Sequence, residues 1–163
     1  MALALHSPSV IHQEKKMKKR DQGFSLIELL IVVAIILIIA AIAIPNLLRS
    51  RMAANEASAV GSIRTVNTAE VTFNSTYNDG FANTLPLLGG AAGAAATCNN
   101  AEVLDPVLSA ANPAIKSGYN FQVGPGTVAV AAAPAGCANP GFVDGYTIIG
   151  WPVNVGTTGQ RSF

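Results

Sequence analysis

Residues able to do chemistry are sparse in this 163-residue chain, and their placement excludes most catalytic constellations. Both histidines, His6 and His12, precede a long apolar run. A chain that works without that leader has no imidazole, which rules out Ser–His and Cys–His dyads and any His-containing zinc site. Cys98 and Cys137 have 38 residues between them. An even pair in an exported domain points to a disulfide, with two free buried thiols as the alternative. The remaining unusual group is Glu28. From Phe24 to Ile44 there are 21 residues, of which only Ser25 and Glu28 are polar. A carboxylate inside such a stretch is costly in hydrocarbon and marks a pairing or a function, unless it lies near enough to the end to snorkel out. No phosphate-binding loop and no clustered catalytic set accompanies it, so an enzyme is not expected and no catalytic or metal-ligating residue is assigned.

The element that carries Glu28 is long enough to cross a bilayer, since 21 helical residues rise about 31 Å. Lys15, Lys16, Lys18, Lys19 and Arg20 form a basic block just before it. Positive residues beside a span stay cytoplasmic, and a nucleic-acid-binding segment is the rival reading of the same block. From Phe24 onward five Lys/Arg face seven Asp/Glu, a net charge of −2, which leaves no basic footprint for nucleic acid. The run reads as a plain single-pass anchor or as a secretory signal cut after Ala41-Ile42-Ala43, though it is longer than an ordinary signal core. Neither reading accounts for Glu28.

A third reading does. The stretch "KKRDQGFSLIELLIVVAIILIIAAIAIPN" resembles the class III signal of type IV pilins and of type II secretion pseudopilins. A basic leader, Gly-Phe-Ser-Leu-x-Glu and a long apolar run coincide there. The close likeness covers about 50 residues and beyond Tyr77 is architectural only. The resemblance implies that a dedicated peptidase cuts between Gly23 and Phe24 and that Phe24 is then N-methylated. It also makes Glu28 the family's glutamate and Pro45 the proline that commonly interrupts the helix. Cleavage creates an ammonium at Phe24 that Glu28 would neutralise on its own helix or, as the family favours, in a neighbouring subunit. The implied fold is α+β and pilin-like, a long N-terminal helix packed on a small antiparallel sheet. The expected parts are a leader at 1–23, a membrane or filament-core helix at 24–44, an amphipathic helix at 45–77 and a β-rich head at 78–163. Met17 would start a leader of family-like length, with residues 1–16 an upstream extension or a dispensable longer leader.

Past Pro45, Leu48, Met52, Ala59, Ile63, Val66, Ala69 and Phe73 trace one helical face, with Arg49, Arg51, Glu56 and Arg64 placed off it. The helix is expected to stop at Asn78-Asp79-Gly80. Residues 87–100 read as low-complexity loop, and Tyr119–Val123, Thr127–Ala132, Phe142–Trp151 and a beginning at Arg161–Phe163 read as strands. The ending "TTGQRSF" is shorter than the last strand of relatives of this shape, and a truncation is expected there. Phe73, Tyr77 and Phe81 are read as core packing rather than as an aromatic-stacking or conduction path. Glu102, Asp105, Asp144, Asn99 and Asn100 offer oxygen ligands of the kind pseudopilin loops use for calcium, but no D-x-D-x-D spacing supports it and no cofactor is expected. A patch of Arg64, Lys116 and Arg161 is the one route to DNA binding. The expected function is that of a major or minor pilin. Its expected partners are itself and other pilins, the prepilin peptidase, an assembly platform and the bacterial inner membrane. It would sit there as a single-pass prepilin and later in a surface pilus. A periplasmic pseudopilin of type II secretion and a membrane-tethered binding domain are the alternatives.

Overall fold

The computed structural model describes residues 23–77, 80–90, 95–126, 137 and 142–163. The chain divides into two compact units, one through Ala40 and one from Ala41 to Phe163. In the first unit the chain is non-helical over residues 23–25 and helical from Leu26, where α1 (Leu26–Tyr77) begins. Its apolar side chains are exposed, from Leu26 at 76% to Ile39 at 61%. Pro45 lies inside α1, where its missing N–H leaves the Ala41 carbonyl without its α-helical donor.

In the second unit α1 buries one face, lined by Ala59, Val66, Ala69 and Phe73. The elements that follow are β1 (Phe81–Ala82), α2 (Leu85–Leu88), β2 (Ala114–Lys116), β3 (Tyr119–Pro125), β4 (Phe142–Val143) and β5 (Tyr146–Pro152). Among the described residues the strands form an antiparallel β1–β4 ribbon and an antiparallel sheet ordered β2–β3–β5. The arrangement is the expected α+β, pilin-like one. In β3 the period-2 alternation sends Tyr119, Phe121 and Val123 into the core while Asn120 and Gln122 face outward. The β2–β3 hairpin closes through Ser117 and Gly118, with φ of 50° and 74°, the two-residue turn whose twist matches the strands. On β5, Gly150 leaves room for α1: a Cβ there would come within 3.2 Å of the Ile63 side chain. Leu85, Leu88, Leu104 and Leu108 complete the core from the segment between β1 and β2.

Several expectations need correction. The single strand read over Phe142–Trp151 is two strands in different sheets, broken at Asp144 and Gly145, residues that favour turns over ladder positions. Residues 87–88, read as loop, close α2, which starts with Thr84 at its N-cap and Pro86 in its first turn. The C-terminal strand is reduced to one rung, in which Phe163 and Gly150 exchange both backbone hydrogen bonds at 2.8 and 2.9 Å. The strand read at Thr127–Ala132 lies outside the described residues, as does the helix stop apart from Gly80.

Glu56 is not off the buried face but part of it, at 9% exposed. It can be there because the C-terminal loop supplies donors. The Gln160 N–H reaches Oε1 at 3.1 Å, and the Arg161 guanidinium reaches Oε2 through Nε at 2.9 Å and Nη2 at 2.6 Å. Asn55 adds a hydrogen bond from Nδ2 to the Thr158 carbonyl at 2.9 Å, and Tyr119 donates to the Arg161 carbonyl at 3.0 Å. Gly159 fits in this loop because a Cβ would run into the Tyr119 ring. The Arg161 hydrogen bonds, then the Gln160 N–H, hold the Glu56 carboxyl below its ordinary value of 4.5 against the opposing effect of burial.

Cys98 and Cys137 are disulfide-bonded, with Cα atoms 5.5 Å apart. The bridge closes a loop whose ends are 39 positions apart, so replacing both cysteines by serine should cost about 3–4 kcal/mol, read as a lower denaturant midpoint. For Glu56 the folded value is the lower one. Its contribution is therefore present above the unfolded carboxylate value and lost as pH falls through the folded value. Glu56→Gln should flatten the acid limb of stability, measured as denaturant midpoints between neutral pH and pH 3.

Candidate processing and assembly site

The residues that the sequence singled out at the N-terminus come together over one helical turn. Gly23, Phe24 and Ser25 are exposed and non-helical, and Phe24 is 82% exposed. Ser25 then caps α1. Its carbonyl accepts the Leu29 N–H at 3.2 Å, while its own N–H donates to Glu28 Oε2 at 3.1 Å. This is the Glu-to-cap half of a capping box, Ser25-Leu26-Ile27-Glu28. The carboxylate sits in the first helical turn, where the unpaired N–H groups and the helix dipole favour negative charge. That arrangement gives the carboxylate a backbone donor beside so apolar a run. The S-x-x-E signature was present in the sequence and went unread because the Gly-Phe-x-x-x-Glu pattern overlies it.

Gly23 is not demanded by the fold. A Cβ on it would meet nothing within 4 Å, so any requirement for glycine there comes from contact with another molecule. Among the described residues one helix, α1, is long and apolar enough to cross a membrane, and its apolar part is unburied.

The head offers less. A shallow cleft of about 300 Å³ is lined by Arg49, Met52, Ala53, Glu56 and Gln160. Of the three cations considered for DNA, Lys116 pairs with Asp105 at 3.2 Å and Arg161 with Glu56 at 2.6 Å. The patch is therefore largely neutralised by its own fold. Asp105, one of the oxygens considered for calcium, also accepts the backbone N–H groups of Val107 and Leu108 at 3.1 and 3.3 Å. Phe73 is fully buried and stacks on Tyr77 at 5.0 Å, while Phe81 meets Tyr146 at 4.8 Å, which is core packing.

Comparison with known proteins falls on this N-terminal part. The prokaryotic N-terminal methylation motif matches residues 18–44. A type IV major pilin protein, PilA, of Myxococcus xanthus is 46% identical over 67 residues, which cover 39% of this chain and 30% of the relative. A type IV wide pilus major component, PilA4, of Thermus thermophilus is 60% identical over 38 residues, covering 23% of this chain and 29% of the relative. The chain thus spans less than a third of the length of each of these relatives. No solved structure matches significantly. Through its N-terminal segment, then, the chain carries the prokaryotic N-terminal methylation motif and is similar over that segment to type IV major pilins.

Proposed function

We propose that the chain is a structural subunit of a type IV pilus, made as a single-pass inner-membrane precursor and assembled through α1. The observation that carries this reading is Glu28 on the first turn of a helix whose other side chains from Leu26 to Ile39 are all exposed and apolar. Residues 24–44 occupy lipid first. Hydrolysis of the Gly23–Phe24 amide by a prepilin peptidase then frees a carboxylate on Gly23 and an ammonium on Phe24, and N-methylation leaves that ammonium cationic. The new charge lies one position from the Ser25 N–H that Glu28 already holds. Glu28 then exchanges a neutral donor for a cationic one, in its own chain or in the adjacent subunit. Away from water that pair is much stronger than at a surface, and either charge alone is heavily penalised. Burial of the exposed apolar side chains against those of neighbouring copies drives assembly, and the ion pair sets the register.

The exposed, non-helical Gly23–Phe24 junction supports cleavage there, because a peptidase needs extended backbone and a helix hides it. Residues 45–77 and the head would then form the outer part of the filament, with the assembly platform and other pilins as partners. The Cys98–Cys137 bridge and the names of the relatives favour a pilus subunit over a type II secretion pseudopilin. No cofactor is assigned.

Mass spectrometry of filaments sheared from cells should find a mature chain beginning with N-methylated Phe24. An uncut Gly23–Phe24 bond in those filaments overturns the reading. Glu28→Ala should still insert and be cut but should yield few or no filaments by electron microscopy; wild-type filament numbers would contradict the ion-pair role.

A further inference from the structure

Glu70 takes no part in the chemistry above. It lies on the buried face of α1, between Val66 and Phe73, and is fully inaccessible. Its Oε2 accepts the backbone N–H of Ala82 in β1 at 2.9 Å. Its Oε1 is buried with no hydrogen-bond partner among the described residues. A charged carboxylate in that position has one donor where it needs several, and a buried charge so poorly compensated is expensive. A protonated one fits: the proton resides on Oε1, and Oε2 remains an acceptor for Ala82.

Among the described residues no cation pairs with Glu70. β1, α2 and β4 carry no titratable side chain. The turn between β4 and β5 supplies an acid, Asp144. β5 supplies Tyr146, whose hydroxyl donates to Asn67 Oδ1 at 2.8 Å and whose own ionisation is opposed by burial and by the charge of Glu70. Tyr77 of α1 packs its ring against Phe73. From the other sheet, Lys116 is engaged by Asp105, and Tyr119 lies in the field of Glu56 and Arg161 instead.

We propose that Glu70 is a proton-operated latch between α1 and the β1–β4 ribbon. Neutral, it pins Ala82 and with it β1 onto the helix. Ionised, it leaves for water, Ala82 loses its side-chain acceptor, and the ribbon loosens. β4 begins five positions after Cys137, so the latch also governs how firmly the disulfide-bonded segment is held.

The direction of the response follows from linkage. Burial pushes the Glu70 carboxyl up from 4.5 to about 8, the Ala82 N–H opposing it. The unfolded chain therefore gives up this proton first, and stability falls as pH rises from about 4.5 to about 8, with the full contribution present below that window. This is the reverse of Glu56, whose clamp fails in acid. Two glutamates on one helix face would thus give the head a stability maximum on the mildly acidic side of neutrality.

The test is denaturant unfolding of the full chain in detergent micelles, followed by fluorescence of Trp151, the chain's single tryptophan. For the wild type, the unfolding constant at fixed denaturant should rise roughly several hundredfold from pH 5 to pH 8. Glu70→Gln, which keeps the acceptor for Ala82, should vary by less than about threefold over the same range, whereas Glu56→Gln should retain the full rise. Should Glu70→Gln not fold, Glu70→Met takes its place with the same expected flat profile. The wild-type chain alone should also become more susceptible to limited proteolysis around β1 across that window. A wild-type unfolding constant independent of pH, or a rise in the neutral variant equal to that of the wild type, overturns the proposal.

Discussion

A carboxylate withdrawn from water has to be given donors, a counter-charge or a proton. α1 meets that demand at two buried glutamates, and a third, exposed one in its first turn is also given a donor. Glu28 takes the Ser25 N–H and so defines where the helix starts. Glu56 takes the Arg161 guanidinium and the Gln160 N–H, which anchors the C-terminal loop to the helix. Glu70 takes one N–H and keeps its proton, which positions β1. The helix serves as the frame on which the end of the chain and the first strand are hung.

The rest of the head is organised to let little material bury enough surface. Small side chains at Ala59 and Ala69, and the absence of one at Gly150, let α1 and the sheet approach closely. Tyr119 and Phe121 then fill the space between. Paired side-chain to backbone hydrogen bonds take over where strands are short. Asn112 is an example, accepting the Val123 N–H at 3.0 Å and donating to its carbonyl at 2.9 Å. A domain this small relies on such ties and on its disulfide because its apolar core alone is thin.

What could be read from the sequence was whatever is local. α1 and its apolar stripe follow from composition and periodicity, although the helix begins at Leu26 rather than at Phe24, and β3 follows from the alternation of Tyr119, Phe121 and Val123. The turn at Asp144–Gly145 was masked by the apolar residues on either side, although an Asp-Gly pair is itself a turn signal. Glu56 and Glu70 keep the three- and four-residue spacing of Met52, Ala59, Ile63, Val66 and Phe73. The polarity of Glu56 made it look like a surface position. Glu56 could be recognised as buried only with its partner in view, and Arg161 is 105 positions away. At the N-terminus Gly23, Phe24 and Glu28 can be singled out from sequence because the pattern they form spans only six residues.

The bridge between Cys98 and Cys137 has a topological consequence. It joins the segment after α2 to the segment before β4, so the backbone between those cysteines is one of two covalent paths linking the halves of the head. A single peptide-bond scission anywhere between them would open a ring without producing a separate fragment. The intervening sequence carries β2 and β3, so its packing still matters, but a nick within it leaves α1 and β5 on one covalent framework.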